Sequence, residues 1–572
     1  MVRFAILCNG TEIKEWELNC VKHLLKFEGT QLAAILIEDG ARSNTNGARR
    51  SLQSGRCLLF RLFARIFVRP TAFRTRLLNG HFPDVPMLRS PGPNRNVRDS
   101  SGHPAEKDAL RELGLDFILS FGTFQGQPGL SDITRWGVWS FHPIAVNSQG
   151  VGEPLFHEVL EGLDTACVVL QAAIGPNTQP VELKRGRMGI DKTSYSETLN
   201  NVFTEISKWP AFVTKRILLT GLEPTDSPSS PEDVAVTEVP TNLTTLSFIA
   251  SLAKGLLGSK YDSLFRHERW NIGIARSPIE SFLDSSVMPD IGYLPEPAGK
   301  TVFRADPFGI WEEDKLTLMF EEFDYRDPKG YIACSEMVSG LSRSTSRVVF
   351  REPFHMSYPY LFRHEGDIYC VPETGENRTI ELLRAVDFPL RWTKIVDLAE
   401  DVGGTDSTLF QYGGLWWLAY TDSDHDANLN LFLRYSHQLG GPWQPHAANP
   451  VKTDIRSARP AGTPFMHKYR LYRPSQDCSE SYGGRVVINR IDKLTPEAFE
   501  EVPVAFVEPD KDGPYPDGLH TISSVGSVTL VDGLRLTFIP AVFCERLFGR
   551  IGKTVAGFKR VLSTSGNQRT RG

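Results

Sequence analysis

Asp306-Pro307-Phe308-Gly309-Ile310-Trp311, followed by Leu316-Thr317-Leu318-Met319-Phe320-Glu321, is the stretch that decides the fold. It reads as a short strand, a turn and a second strand, and it recurs. Tyr358-Pro359-Tyr360-Leu361-Phe362 precedes Asp367-Ile368-Tyr369-Cys370-Val371-Pro372-Glu373. Asp406-Ser407-Thr408-Leu409-Phe410 precedes Leu415-Trp416-Trp417-Leu418-Ala419-Tyr420. Gly462-Thr463-Pro464-Phe465 precedes Tyr469-Arg470-Leu471-Tyr472-Arg473, and a weaker fifth start lies at His520-Thr521-Ile522. The starts are about 50 residues apart, the length of a propeller blade. Turn pairs such as Gly413-Gly414, Gly440-Gly441 and Gly483-Gly484 separate the strands. The period predicts an all-β five-bladed propeller over 268–540, with two stacked sandwiches as the competing arrangement.

Upstream the pattern changes. Glu223 to Thr245 is rich in Pro, Ser, Thr and Asp, so 221–267 is expected to be a linker and connecting helix. Before it, strand and helix alternate. Phe4–Leu7 and Leu32–Ile37 are apolar strands around a helical Lys14–Phe27, and further strands begin at Leu115, Gly137 and Thr165. Such alternation implies a Rossmann-like parallel sheet covered on both faces, an α/β domain over 1–220. An insertion is expected at 41–106. Its centre, Leu58 to Val68, predicts a helix that ends at Pro70. Arg61, Arg65 and Arg69 recur on one face, which suits either a solvated surface or peripheral membrane contact through 57–70. The end, 541–572, reads as a basic tail.

Composition removes several classes. The 572 residues carry 63 basic and 68 acidic side chains, a formal charge of −5, which disfavours nucleic acid as a partner. The eight cysteines contain no Cys-x-x-Cys pair, so neither a zinc ribbon nor a disulfide framework is expected. Met1 to Cys8 holds too short an apolar run for an export leader, and a cytoplasmic chain is expected. His425, between Asp424 and Asp426, reads as a solvated turn, and no metal site is expected.

In the first domain the candidate chemistry lies at Trp139-Ser140-Phe141-His142-Pro143, where a histidine leaves the end of a strand. This arrangement resembles the formyltransferases that use 10-formyltetrahydrofolate, a family with an Asn, a His two residues later and a distant Asp. His142 stands at the family His, Ser140 at the Asn, and Asn177 or Thr178 at the Asp. The resemblance implies His142, Ser140 and Asn177 as the catalytic set, 10-formyltetrahydrofolate as donor and an amino sugar as acceptor.

In the propeller, Asp306, Glu321, Glu373 and Asp406 are acids at matched blade positions, with Arg459, Arg473 and His520 as cationic or hydrogen-bonding partners. Matched positions converge on a propeller axis. Paired carboxylates there suit sugar hydroxyls or glycoside cleavage. Arg304-Ala305-Asp306-Pro307-Phe308, Pro372-Glu373-Thr374, Arg459-Pro460-Ala461-Gly462, Tyr472-Arg473-Pro474-Ser475-Gln476-Asp477-Cys478, Tyr482-Gly483 and Gly518-Leu519-His520-Thr521 together resemble the propeller-like domain attached to plant glucosamine inositolphosphorylceramide transferases. More distantly they are similar to five-bladed furanosidase propellers. The plant transfer activity belongs to a separate glycosyltransferase domain, so the resemblance implies glycan recognition rather than the sphingolipid reaction. The expected function is carbohydrate modification by formyl transfer, with the propeller holding the glycan. The alternative is a glycan-binding or glycoside-hydrolase-like propeller beside a degenerate first domain.

Overall fold

The computed structural model describes residues 1–37, 55–89, 104–121, 130–142, 153–175, 180–223, 240–284, 288–338, 341–342 and 346–547. Asn177, Thr178 and residues 90–103 and 548–572 lie outside them. Contacts divide the chain into two compact units. The first is Met1–Leu256 with His446–Ile455 and Thr495–Ala498; the second holds the remaining segments, beginning at Leu257.

The N-terminal apolar run becomes β1 (Val2–Cys8), and α1 (Glu15–Leu25) follows. Glu17 closes the first turn of α1 by accepting from the Lys14 N–H at 2.7 Å. Trp16, Leu18, Val21 and Leu24 bury one face of the helix. Next come β2 (Thr30–Ile37), α2 (Leu58–Phe67), β3 (Met87–Arg89), α3 (Pro104–Glu112), β4 (Phe117–Ser120) and β5 (Val138–His142). The unit continues with β6 (Thr165–Ala173), β7 (Val181–Gly189), α4 (Tyr195–Ile206) and α5 (Trp209–Thr220), and α6 (Asn242–Phe265) begins in it and runs past its boundary at Leu256. The sheet order is β3-β2-β1-β4-β5-β6-β7. Phe117 stacks between Phe4 and Trp139, with ring centroids 5.4 and 3.9 Å away, at the centre of one face.

Two expectations for this unit are corrected. The sheet is mixed rather than parallel: β1 to β5 run parallel, whereas β6 pairs antiparallel with both β5 and β7. The connection from Ala173 to Val181 is too short for a parallel crossover, which needs a dozen or more residues. The segment expected as an insertion is also partly integral. It supplies the edge strand β3, and Thr75–Leu77 pairs with Glu12–Lys14. Pro210 sits in the first turn of α5, where its missing N–H is harmless.

The second unit is a five-bladed propeller. Blade one is β10 (Val302–Glu312), β11 (Lys315–Asp324) and β12 (Asp327–Val338), with short outer strands. Blade two is β13 (Ser357–His364), β14 (Asp367–Glu373), β15 (Thr379–Asp387) and β16 (Arg391–Glu400). Blade three is β17 (Gly404–Tyr412), β18 (Leu415–Asp422) and β19 (Asn430–Ser436), edged by Gln444–Pro445. Blade four is β20 (Phe465–His467), β21 (Arg470–Asp477), β22 (Arg485–Leu494) and β23 (Phe499–Val507). The fifth blade joins the two ends of the domain. Its strands β24 (Ile522–Val525) and β25 (Val528–Thr537) pair with the early strands β8 (His267–Ala275) and β9 (Ile291–Tyr293), in the order β9-β8-β25-β24.

The innermost strands of blades one to three share one irregularity. Pairing slips after Ala305 in β10, after Ser357 in β13 and after Thr405 in β17, leaving two residues unpaired each time. The first unpaired residue is left-handed in every case: Asp306 at φ +52°, Tyr358 at +43° and Asp406 at +48°. Each such non-glycine residue costs about 1–3 kcal/mol and persists only where surrounding contacts hold it. The bulges turn Asp306 and Asp406 away from their ladders.

Candidate functional site

A cavity of about 310 Å³ opens within the propeller. Asp306, Glu321, Glu373, Arg459 and His520 line it, together with Trp270, Phe323, Tyr325, His355 and Tyr482. Five of the seven propeller residues expected from the sequence therefore meet in one place.

Asp306 is anchored by the blades beside it. Its Oδ1 accepts from Thr521 Oγ1 at 2.7 Å and its Oδ2 from the Tyr358 N–H at 3.3 Å. Its own N–H donates to Asp532 Oδ2 at 3.1 Å, and Asp532 Oδ1 accepts from the N–H groups of His520 and Thr521. The His520 ring lies between the two acids, with Nδ1 2.7 Å from Asp532 Oδ2 and Nε2 3.5 Å from Asp306 Oδ1. Burial pulls the imidazolium down, but Asp532 and Asp306 outweigh it and raise His520 to about 9. Trp270 stacks on the ring at 4.0 Å. Gly483 permits that stack, because a Cβ at this φ +63° position would fall 2.8 Å from Trp270.

Asp406 lies directly behind the cavity rather than on its wall. Its N–H donates to Glu373 Oε2 at 2.9 Å, and its Oδ2 accepts from Arg459 Nε at 2.5 Å and Gln476 Nε2 at 2.7 Å. Burial pushes Asp406 up to about 6, against the pull of Arg459. Arg459 also reaches Asn428 and lies over the Tyr482 ring at 5.0 Å. Burial, reinforced by Asp306, holds the Glu321 carboxyl well above the ordinary range. His355 faces it, with Nε2 3.6 Å from Glu321 Oε1. His355 Nδ1 accepts from the Gly330 N–H at 2.9 Å, so the ring proton sits on Nε2. Burial pulls the pKa of this histidine down, which favours the neutral ring. The wall thus combines carboxyl groups, a buried guanidinium and aromatic faces.

Arg473 is the exception among the expected residues. It is buried in a bidentate pair with Glu501, at 2.6 and 3.0 Å, and it donates to the carbonyls of Ser457 and Ala458. It therefore fastens the loop before β20 to blade four and does not line the cavity. The sequence reading missed Asp532, Trp270 and His355. A lone acid inside the apolar Leu530-Val531-Asp532 run was the available signal for the first.

Among the described residues, Asp306, His520 and Asp532 place ligand-type atoms within 4.8 Å of one another. The His520 charge already supplies the cation these acids need. His425 Nδ1 lies 3.1 Å from Asp422 Oδ2, and Asp424 pairs with Arg378 at 2.9 Å, an ion-paired turn.

In the first unit, Ser140 and His142 share one face of β5, opposite Trp139 and Phe141. Ser140 is buried, and half-burial pulls His142 below the usual histidine range.

Residues 294–515 match the family described as glucosamine inositolphosphorylceramide transferase 1, N-terminal. The propeller thus carries the likeness that its motifs suggested. A glucosamine inositolphosphorylceramide transferase 1 from Oryza sativa subsp. indica is 36% identical over 271 residues, covering 44% of this chain and 36% of the relative. That of Arabidopsis thaliana is 34% identical over 252 residues, covering 41% and 32%. The chain spans about a third of the length of these curated relatives. Formyl transfer at His142 draws no support from these relatives. Among solved structures, a glycoside hydrolase of a mannoside phosphorylase family that targets beta-1,2 mannosidic linkages aligns at 11% identity and a TM-score of 0.32. It covers 42% of this chain and 90% of its own, and at that score the likeness carries no weight for function.

Proposed function

We propose that the propeller cavity takes a sugar unit of a glycan or glycoconjugate and that the chain acts in carbohydrate modification. The observation that carries this reading is the convergence of Asp306, Glu321, Glu373 and Arg459 with the rings of Trp270 and Tyr482 around one cavity. Carboxyl and guanidinium groups match the alternating donors and acceptors of sugar hydroxyls. Aromatic faces match the apolar C–H face of a pyranose. A volume of about 310 Å³ is at the small end of ligand clefts, which run from about 300 to 1,000 Å³, and suits one sugar residue better than a long chain. The relatives' names, which join a transferase to a glucosamine-bearing lipid, favour the same substrate class. Glycosyl cleavage or transfer at this cavity is favoured by Glu321, because burial beside Asp306 raises its carboxyl well above the ordinary range, the direction in which a proton donor for such chemistry is tuned.

The test is a glycan array followed by titration calorimetry with the full chain, comparing wild type with Glu373→Gln and Arg459→Ala. Selective capture of one sugar class, weakened at least about tenfold in both variants, is expected, since losing a charged partner of a ligand costs about 1.5–3 kcal/mol. Capture by neither array nor titration, or binding indifferent to both substitutions, ends the reading. Folate-dependent formyl transfer in the first unit has only the shared face of Ser140 and His142 behind it. Melting the chain with 10-formyltetrahydrofolate examines it separately, and an unchanged melting temperature at saturating donor removes it.

A further inference from the structure

We propose that α2 and residues 242–256 of α6, in the first unit, form a docking surface for an anionic lipid bilayer. The helices meet through Phe60 and Phe63, whose rings contact Phe248 at 6.1 and 5.6 Å. Phe60 also packs on Phe156, and Asn242 of α6 accepts from the Leu59 N–H at 3.0 Å. That contact consumes only one side of each helix. On α2, Leu58, Leu62 and Ile66 remain 60, 55 and 51% exposed, and on α6 Leu243 and Leu246 remain 76 and 56% exposed. Leu58, Leu62 and Ile66 recur every fourth residue and so form one stripe. Single exposed leucines need no explanation, but an aligned stripe continued on a packed neighbour does.

The charge beside this stripe identifies its occupant. Arg56, Arg61, Arg65 and Arg69 are exposed, and residues 55–69 contain no acid. Residues 240–256 of the partner segment contain Lys254 and no acid. An apolar stripe edged by long cationic side chains sits at the boundary between acyl chains and phosphate headgroups, with guanidinium groups reaching the phosphates. A second copy of this chain fits less well. A self-complementary contact would set the row of Arg61, Arg65 and Arg69 against the same row of the second copy. Among the described residues no helix is long and apolar enough to cross a membrane, so the surface lies on the bilayer.

Vesicle sedimentation with the full chain tests this, using phosphatidylcholine alone or mixed with phosphatidylserine. Wild type should pellet with the mixed vesicles and release as salt is raised. The variant Arg61→Gln, Arg65→Gln, Arg69→Gln should bind about a hundredfold more weakly, each basic residue near an anionic surface contributing roughly fivefold. A second variant, Leu62→Ser with Ile66→Ser, should also lose binding while keeping the wild-type melting temperature, because both side chains already face water. Equal recovery of wild type and the glutamine variant overturns the proposal. So does a concentration-dependent dimer that the serine variant abolishes, with no vesicle binding by the wild type.

Discussion

His520 keeps its proton near neutral pH because two acids face it inside the propeller. Its folded-state value of about 9 stands above the unfolded value near 6.5. The stabilisation is therefore complete below about pH 6.5 and is lost as pH rises through about 9, a loss of up to about 3 kcal/mol. Asp406, raised to about 6, works in a lower window, where stability falls as pH rises from about 4 to 6. The melting temperature should decline between pH 6.5 and 9, and His520→Asn should flatten that decline. A wild-type profile that is level over this range contradicts the charged triad. At this scale Asp306 and His520 were readable because each opens a repeat. Asp532 was not, since the acid that holds them comes from a strand more than 200 residues after Asp306. Arg473 misled for a related reason: residue type shows that a buried guanidinium needs an acid, but not that Glu501 supplies it.

The inner strands were legible as alternating apolar runs, but their slips were visible only indirectly. Pro307 and Pro359 follow Asp306 and Tyr358, and a residue without an N–H cannot continue a ladder, so a break belongs there. Blade four reaches its neighbour differently. Gly462, at φ +121°, presses against β24, where a Cβ would lie 1.8 Å from the Ile522 carbonyl oxygen. Its N–H also donates to Tyr358 Oη at 2.6 Å. Gly462→Ala should cost at least about 3 kcal/mol in chemical denaturation, combining overpacking with backbone strain. Gly440→Ala, which meets open space, should cost less than about 1 kcal/mol. Equal costs for the two would show that the blade junction yields.

At the scale of the whole molecule, the period of about 50 residues sufficed for a propeller because every blade repeats the same pattern. The same period hid how the ring closes, since β8 and β9 precede the first full repeat while β24 and β25 follow the fourth. In the first unit, apolar runs found β1, β2, β4, β5 and β6 but not β7, whose Val181-Glu182-Leu183-Lys184-Arg185-Gly186-Arg187 stretch is half polar, and residue type did not show that β6 pairs antiparallel on both sides. A chain ending at Thr521 would lack β24, β25 and Asp532, and so would lose both the closing blade and the clasp on Asp306. Limited proteolysis should degrade its propeller far faster than that of the full chain; equal resistance would mean that four blades suffice.

The closing blade also sets an order of events during synthesis. β8 leaves the ribosome about 250 residues before β25, a delay of tens of seconds at roughly 5–20 residues per second. Throughout that delay the nascent propeller offers an unpaired strand edge at its beginning, open to neighbouring polypeptides. The yield of correctly assembled protein therefore depends on chaperone cover and translation speed as much as on the stability of the finished ring.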